Sequence, residues 1–363
     1  MGAVFGKKIT LTIFGESHGH SIGCVLGNLP AGIKLDTDMI AAQMQRRAPG
    51  NSPLATSRKE ADAFEIVSGL FNGHTTGAPL CMFIQNSTQR SNDYNILQDV
   101  MRPGHADYTG RVKYKGFNDY RGGGHFSGRL TAPLVFAGAV ARQVLMAKNI
   151  HIGAHIKSIA AISDQAWDSL HISQTELAKL SSSSFPTLST TQGQLMQERI
   201  LQAKNNLDSV GGVIECATIN IPIGLGEPFF DSLESQLAAM LFSIPAVKGV
   251  SFGAGFVLSE MTGSQANDSM YYECGQVKFA SNNNGGILGG ISNGLPLVFS
   301  VAIKPTPSIY QEQDSVNITS GESCKLQIHG RHDPCIVQRA VPVVEAAAAW
   351  VILDNLLLNE VVI

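Results

Sequence analysis

Two apolar stretches decide the fold: LVFAGAVA at residues 134–141 and VVEAAAAWVIL at residues 343–353. Both have the composition of helices, yet neither carries a polar stripe along one side. A helix without a polar face has to be covered by protein on every side. The economical way to cover two such helices is to place them between sheets within one domain.

Alternating apolar segments and a hairpin signal supply the sheets. Strand patterns occur at residues 9–14, 64–71, 78–84, 213–221, 249–258 and 295–304, and helical patterns at 38–47, 131–149, 194–207, 231–242 and 341–358. Asn72-Gly73, which favours a tight hairpin turn, joins the second and third strands. Hairpins mixed with helices favour the α+β class over a doubly wound parallel sheet. We therefore predict a single domain over residues 1–363, a sandwich of antiparallel sheets around central buried helices.

The composition narrows the classes of function. The 363 residues carry a net charge of −3, so no overall basic field favours a nucleic acid or a membrane surface as partner. The first residues read as a strand instead of a signal peptide, and the most apolar stretch is interrupted by Glu345, Asp354 and Asn355. The six cysteines form no CxxC pair, which is typical of a reducing cytoplasm. A soluble cytoplasmic protein is expected, with the Ser/Thr-rich residues 181–193 as a surface excursion.

The first chemical motif is GESHGH at residues 15–20. Flanking glycines let the backbone turn sharply and leave His18 at the end of a strand, and histidine titrates near neutrality. His18 and His20 lie on one face of an extended segment, so a metal site is an alternative. Zinc needs a third and a fourth ligand, and no Cys/His spacing supplies them. We therefore expect no metal, while His18 stays open between an acid-base role and a structural one.

Arg46 and Arg47 end a predicted helix just before Pro49-Gly50. Cations in the last turn complement the helix dipole and often do nothing else, so a functional role is the less common alternative.

A basic, glycine-rich segment lies between Met101 and Thr131, with six Lys/Arg and two Asp, an excess of four positive charges. It contains RPGHAD at residues 102–107 and RGGGHFSGR at residues 121–129. Consecutive glycines let backbone amides approach an anion, and the amides at the start of the following helix point to the same place. These features favour an anion site over a solvated surface.

Two further segments carry weaker signals. NNNGGILGG at residues 282–290 precedes a strand that ends in KPTPS at residues 304–308, and it fits neither a P-loop nor a dinucleotide fingerprint. GRHDPC at residues 330–335 precedes the second apolar helix. Its Asp333 is either an ion-pair partner of Arg331 or a base at the entrance of a helix.

Together these motifs resemble one family, the chorismate synthases. The strings GESHG, QRRxPG, RPGHADYT, RGGG-xx-SGR-x-T, GGILGGISxG, KPT and GRHDPC occur in the order of that family, and they extend from Thr12 to Glu345. The agreement of so many unusual strings is far more specific than any one of them.

The resemblance implies a lyase that performs an anti-1,4-elimination of phosphate from 5-enolpyruvylshikimate-3-phosphate, with reduced FMN required but no net redox change. It also implies a homotetramer of sandwich domains. By motif match, the acid-base groups would be His18, His105 and Asp333. The clamps for phosphate and carboxylates would be Arg46, Arg47, Arg102, Arg129 and Arg331. The flavin contacts would be His125, Phe126, Ser127, Pro245, Ala246, Gly289, Lys304, Pro305, Thr306, Pro307, Ser308 and Arg331.

The sequence departs from the family pattern at three places, one of which is the Gly27-Asn28 pair that replaces an acidic-Gly dipeptide and is interpreted as turn variation. His125-Phe126-Ser127-Gly128-Arg129 stands where many members have Arg-Ser-Ser-Ala-Arg, so one cation and one hydroxyl beside the flavin are changed. Pro53 and Leu54 stand where others often have an arginine and a tyrosine, and that arginine has been linked to NADPH binding. Arg47 is the remaining candidate contact for NADPH. We therefore expect the reduced flavin to come from an external flavin reductase.

Two other classes of function remain as alternatives. A flavin-binding electron carrier would need the flavin site but not the arginines or His18, and phosphate release that depends on substrate separates the two. A polyanion-binding module, for example for RNA, is disfavoured by the net charge of −3.

Overall fold

The computed structural model describes residues 2–50, 54, 62–86, 96–328 and 332–360. Within these ranges the α-helices are α1 Thr37–Arg47, α2 Asp107–Lys113, α3 Thr131–Ala147, α4 Gln174–Ser182, α5 Thr190–Asn205, α6 Leu233–Ser243, α7 Gly263–Ala266 and α8 Val337–Asn359. The strands are β1 Val4–Phe5, β2 Thr10–Gly15, β3 Ser21–Gly27, β4 Glu65–Ser68, β5 Leu70–Phe71, β6 His74–Thr75, β7 Leu80–Gln85, β8 His151–Ile159, β9 Ile162–Ser163, β10 Gly212–Ile219, β11 Val247–Phe252, β12 Met270–Glu273, β13 Gln276–Phe279, β14 Ile287–Leu288, β15 Ile291–Ser292, β16 Leu297–Ile303, β17 Gln313–Asn317 and β18 Glu322–Leu326.

Two antiparallel sheets enclose the central helices. The first has the strand order β1-β2-β3-β7-β4, and the second has the order β11-β16-β10-β8-β9. Helix α3 contacts β2 and β3 of the first sheet and β8 of the second, while α8 contacts β8 and β10. The predicted α+β sandwich of antiparallel sheets around buried helices, in one domain, is therefore confirmed.

The two apolar helices pack directly on each other. A Cβ added to Gly138 of α3 would lie 2.2 Å from the Cβ of Ala346 on α8, so only glycine allows this approach. By length and composition alone both helices could cross a membrane, but α8 is buried along almost its whole length in this fold. Their apolar character is explained by the core of the sandwich.

The carboxylates of α8 are satisfied inside the protein. Glu345 is 2% exposed and accepts hydrogen bonds from Arg46 (2.5 Å), Arg142 (2.8 Å) and the backbone N–H of Ala154 (3.0 Å). Asp354 accepts from the backbone N–H groups of residues 7, 8 and 9, at 2.8, 2.8 and 2.9 Å. Buried carboxylates of this kind join the helix to α1, β8 and the start of β2.

Local predictions along the chain agree with the structure in part. The hairpin at Asn72-Gly73 forms between β5 and β6, with φ values of 48° and 74° at the two turn residues. The strand pattern over residues 249–258 is too long, because β11 ends at Phe252 and a 3-10 helix covers Gly255–Glu260. The expected excursion at residues 181–193 is also shorter, since α4 ends at Ser182 and α5 begins at Thr190.

A small hairpin of β17 and β18 supports the loop that leads to RPGHAD. Leu97 and Val100 form an apolar cluster with Leu326 and Ile328. The backbone N–H of Met101 donates to the carbonyl of Val316 (3.2 Å). The residue before Arg102 is therefore anchored to a structured element.

Candidate active site

A cavity of about 1030 Å³ lies where α3 and α8 begin. Ligand cavities in proteins span about 300–1,000 Å³, so this cavity is at the large end of the range. Its polar wall includes Arg47, Arg102, Arg129 and Arg339, and its opposite parts include apolar residues such as Leu134, Ile244 and Val343. The cavity is suited to an anionic ligand together with a flat apolar one.

The glycine-rich turn forms one wall of the cavity and brings two distant histidines together. Gly122, Gly123 and Gly124 have φ values of 58°, 84° and 53°, in the region that disfavours residues with a Cβ. A Cβ on Gly122 would lie 2.1 Å from Nδ1 of His18, and one on Gly123 would lie 3.1 Å from Cε1 of His105. The absence of side chains at Gly122 and Gly123 therefore leaves room for the imidazoles of His18 and His105.

His18 lies beside the cavity lining. It is 3% exposed, and its Nδ1 is 3.3 Å from Oγ of Ser17. Ser17 and Gly122 line the cavity, whereas His18 itself does not. Its imidazole would therefore be separated from a ligand in the cavity by the residues that line this wall, Ser17 and Gly122.

His105 belongs to a buried cluster with Arg102 and Asp107. Its Nδ1 lies 2.6 Å from Oδ1 of Asp107, and Arg102 binds both oxygens of that carboxylate, at 2.7 and 2.8 Å. Burial lowers the pKa of His105; the bond to Asp107 opposes this, and the charge of Arg102 adds to it. Burial would raise the pKa of Asp107, but its bonds to Arg102 and His105 outweigh burial and lower it. His105 thus lies on the cavity wall with a pKa below its ordinary value.

Arg47 and Arg129 form a second cluster, around Asp62. Arg47 is 3% exposed, Arg129 is 8% exposed, and both form ion pairs with the carboxylate of Asp62. Burial would raise the pKa of Asp62, but the two guanidinium groups lower it overall. Asp62 also has a φ of 47°, an uncommon conformation for a residue with a side chain. The two arginines are held side by side at the cavity.

Asp333 lies on the cavity wall and forms an ion pair with Arg339, in the first turn of α8. Arg339 also donates from Nε to the backbone carbonyl of Arg47 (2.9 Å). The predicted partner Arg331 lies outside the described residues, as does Pro53 of the NADPH prediction. Asp333 is therefore connected to the Arg47 cluster through Arg339.

Most of the predicted flavin contacts line the same cavity. These residues are His125, Phe126, Ser127, Pro245, Ala246, Lys304, Thr306, Pro307 and Ser308. The N–H of Lys304 donates to the carbonyl of Ala246 (2.9 Å), which joins two of these segments. Oγ1 of Thr306 is buried, and the described residues give it no hydrogen-bond partner.

The two substituted residues of the family motif have defined environments. Nδ1–H of His125 donates to the carbonyl of Gly15 (2.8 Å), so its ring is tied to the end of β2. The ring of Phe126 packs on Gly110 of α2, where a Cβ would lie 2.6 Å away, and near Tyr114, with ring centroids 6.2 Å apart. Phe126 therefore contributes an apolar surface where the family pattern has a hydroxyl.

Besides His18, three predicted site residues within the described ranges do not line the cavity. Arg46 binds Glu345 and Gln43, so it acts in this structure as a link between α1 and α8. Gly289 is exposed in the turn between β14 and β15, and no heavy atom lies within 4 Å of the point that a Cβ would occupy. Pro305 is not part of the lining either, although its neighbours Lys304 and Thr306 are.

Sequence reasoning missed four residues that shape the site: Ser17, Asp62, Asp107 and Arg339. The spacing Arg102-x-x-His105-x-Asp107 carried a usable signal, because a carboxylate two residues from a histidine can bind it. Asp62 had no such signal, since its partners lie 15 and 67 residues away along the chain. Only the fold reveals that contact.

Comparisons with known proteins agree with this architecture. A family model described as chorismate synthase matches residues 9–357. The chorismate synthase of Dehalococcoides mccartyi is 46% identical over 98% of this chain and 96% of the relative. That of Thermococcus kodakarensis is 43% identical over 97% of both chains. A crystal structure of chorismate synthase matches with a TM-score of 0.76 and 28% identity, over 98% of this chain and 93% of that one.

The fold and the cavity define a class of protein, a single-domain α+β enzyme with cationic groups around a cavity beside its central helices. Within that class the matches over nearly the whole length decide the assignment. This chain belongs to the chorismate synthase family.

Proposed function

We propose that this chain catalyses the anti-1,4-elimination of phosphate from 5-enolpyruvylshikimate-3-phosphate to give chorismate. One observation carries the proposal: a single cavity brings together Arg47, Arg102, Arg129, His105 and Asp333. Arginine binds phosphate and carboxylate groups in a bidentate manner and keeps its charge. The substrate has one phosphate and two carboxylates, which is the charge pattern that these groups complement.

Different residues of the cavity would bind the anionic groups, transfer protons and exclude water. Arg102 and the Arg47–Arg129 pair would hold the anionic groups and stabilise the departing phosphate. Nε2 of His105 would bind and release a proton. His18 would also transfer a proton, across the part of the cavity wall that Ser17 forms. Asp333, which precedes α8 and forms an ion pair with Arg339, would exchange a proton with a bound ligand. The enclosing helix ends would exclude water from the reaction.

The same cavity fits reduced FMN as cofactor. Thr306 offers a buried hydroxyl that has no partner among the described residues, Lys304 offers a cation, and Phe126 and Val343 offer apolar surface. Residues His125–Ser127, Pro245-Ala246 and Lys304–Ser308 would hold the flavin. When bound there, reduced FMN would supply transient electron transfer for the elimination, and the reaction would have no net redox change.

The remaining parts of the proposal concern supply and assembly. The reduced flavin would come from an external flavin reductase, with NADPH used directly only if Arg47 binds it. The protein would act in the cytoplasm as a homotetramer. All six cysteines are free thiols, which supports a reducing compartment.

An anaerobic assay with photoreduced FMN tests the function. Each molecule of reduced FMN should support many turnovers, with phosphate and chorismate formed in equal amounts. Oxidised FMN alone should support no turnover. Consumption of one reduced flavin in each turnover would instead identify an oxidoreductase. Flavin binding without release of phosphate from the substrate would favour an electron carrier.

A further inference from the structure

The carboxylate of Asp107 does not line the cavity, but it binds two residues that do, Arg102 and His105, and the proposed reaction gives it no direct role. It is the first residue of α2 and is 8% exposed. Its Oδ2 accepts from Nε of Arg102 (2.7 Å) and from the backbone N–H of Arg102 (3.1 Å). Its Oδ1 accepts from Nη2 of Arg102 (2.8 Å) and lies 2.6 Å from Nδ1 of His105.

This geometry fixes which nitrogen of His105 carries the proton. A carboxylate with three N–H donors from an arginine is ionised, so it can only accept hydrogen bonds. Nδ1 of His105 therefore has to be the donor in the 2.6 Å contact. Nη2 of Arg102 lies 3.1 Å from the same Nδ1. Because Nη2 and Nδ1 then both carry a proton, neither can accept a hydrogen bond from the other. In the neutral ring the lone pair then resides on Nε2.

The other edge of the ring is turned to the glycine-rich turn. A Cβ on Gly123 would lie 3.2 Å from Nε2 and 3.1 Å from Cε1 of His105. Both His105 and Gly122 line the cavity. The nitrogen that lacks a proton is thus the one on the side of the glycine wall, while Asp107 occupies the opposite nitrogen.

The charges around His105 keep it ready to accept a proton. Burial disfavours the imidazolium most and lowers the pKa of His105, the charges of Arg102 and Lys304 act in the same direction, and Asp107 favours the imidazolium. Among the described residues these charged groups act on the ring: Arg102 precedes α2, Asp107 begins α2, and Lys304 follows β16. The opposition between them leaves a neutral base whose conjugate acid is still stabilised by one carboxylate.

We propose that Asp107 is a positioning residue that holds His105 in the Nδ1–H tautomer, so that Nε2 accepts a proton during turnover. The proposal rests on the proposed function for the identity of the reaction. The N–H bond at Nε2 forms as the bond between the ligand and that proton breaks, the electron pair of the broken bond stays on the ligand, and the proton passes from Nε2 to solvent before the next turnover.

The ring nitrogens of His105 provide a direct test that needs no substrate. In protein labelled with ¹⁵N-histidine, solid-state NMR at a pH where His105 is neutral should show Nδ1 protonated and Nε2 unprotonated. The loss of one pair of signals in His105→Gln assigns the resonance among the ten histidines. An Nε2–H tautomer in the wild-type protein overturns the proposal, whatever the variants do.

Asp107→Asn tests the consequence for catalysis. Arg102 should take the amide oxygen, so the amide NH₂ faces Nδ1 and reverses the tautomer. We expect kcat to fall by roughly 10²- to 10⁴-fold, the scale for a general base in the wrong protonation state. KM should rise as well because Arg102 is loosened. In a His105→Ala background, Asp107→Asn should lower kcat by less than about threefold, because Asp107 acts through His105.

Asp164→Asn is the matched control. Asp164 also binds Nδ1 of a buried histidine, His155, at 3.0 Å, but it lies outside the cavity lining. This variant should lose stability without reversing the tautomer of His105 or lowering kcat. If Asp107→Asn keeps more than a third of kcat, or lowers kcat equally in the His105→Ala background, Asp107 is only structural. If wild-type protein releases no phosphate, the proposed function fails, and the tautomer is still read from the spectrum.

Discussion

Asp62 is the carboxylate that joins Arg47 and Arg129 in the arginine cluster. Replacing it with Ala would leave Arg47 and Arg129 buried beside each other without their shared carboxylate. Loss of one partner of a buried ion pair typically costs about 3–5 kcal/mol, so the free energy of unfolding of Asp62→Ala should fall by that amount. Urea denaturation measures this change.

Added inorganic phosphate should raise the Tm of Asp62→Ala more than that of the wild type, because an anion can take the place of the carboxylate. Asp314→Ala is the control, since Asp314 pairs with Lys325 at the surface and its side chain is 89% exposed. A loss below about 1 kcal/mol for Asp62→Ala would show that the arginines do not need it.

Gly122 provides a second prediction at this scale. Ala at this position would place a Cβ 2.1 Å from Nδ1 of His18, at a φ of 58°. The imidazole has to move, so kcat should fall by roughly 10²- to 10⁴-fold, as for removal of His18 itself. In a His18→Ala background the same substitution should add little.

Gly263→Ala serves as the control for Gly122→Ala, because no heavy atom lies within 4 Å of its Cβ position and it is outside the cavity. A Gly122→Ala variant with kcat within about threefold of wild type would remove His18 from the chemistry.

Single residues also show where sequence reasoning reached its limit. The pattern at the end of α1 could not separate Arg46 from Arg47, although adjacent helical residues point about 100° apart. In the structure Arg47 faces the cavity and Arg46 faces Glu345. The direction of each side chain depends on which face of α1 packs on α3 and α8, and that packing is a tertiary property.

At the scale of elements, the strongly periodic or uniformly apolar segments were predictable. Both central helices and the β5–β6 hairpin follow from local composition and turn chemistry. Strand β8 was missed because His155 and Lys157 interrupt its apolar pattern. These residues are accommodated by partners on other elements, so the pattern alone cannot reveal them.

The same strand carries a prediction about pH and stability. His155 is fully buried on β8, with Nδ1 3.0 Å from Asp164 and Nε2 3.1 Å from Glu215. Burial lowers the pKa of His155, but the two carboxylates outweigh burial and raise it above its ordinary value. A pKa raised by folding contributes stability below the unfolded value of about 6.5, and that contribution is lost as pH rises through the folded pKa.

The free energy of unfolding should therefore contain a component that declines as the pH is raised above about 6.5. His155→Gln should abolish that component, whereas His171→Gln, at an exposed histidine, should leave it unchanged. Urea denaturation at a series of pH values measures the slope. An identical slope in wild type and His155→Gln would contradict the assignment of the charge to this cluster.

At the scale of the whole molecule, the surface retains apolar groups that one chain does not cover. Phe229 and Phe230 are 86% and 93% exposed, and Phe229 has a φ of 60°, which is an outlier for an aromatic residue. An exposed aromatic pair in a strained turn is typical of a surface that another chain covers. We expect it to lie in the interface of the proposed homotetramer.

Light scattering coupled to size-exclusion chromatography should give four times the mass of one chain for the wild type. The double variant Phe229→Ser and Phe230→Ser should give a smaller species while the secondary structure by circular dichroism is retained. A tetramer that persists unchanged in the double variant would place the interface elsewhere, and a wild-type monomer would remove the proposed assembly.

The position of α8 has a consequence for how the protein is made. This core helix begins only at Val337, and its Asp354 binds the backbone of residues 7–9. A ribosome therefore has to synthesise α8 before the contact between Asp354 and residues 7–9 can form. Contacts of such sequence separation make folding slow and leave apolar surface exposed in the meantime. The nascent chain should consequently depend on chaperones until its last helix leaves the exit tunnel.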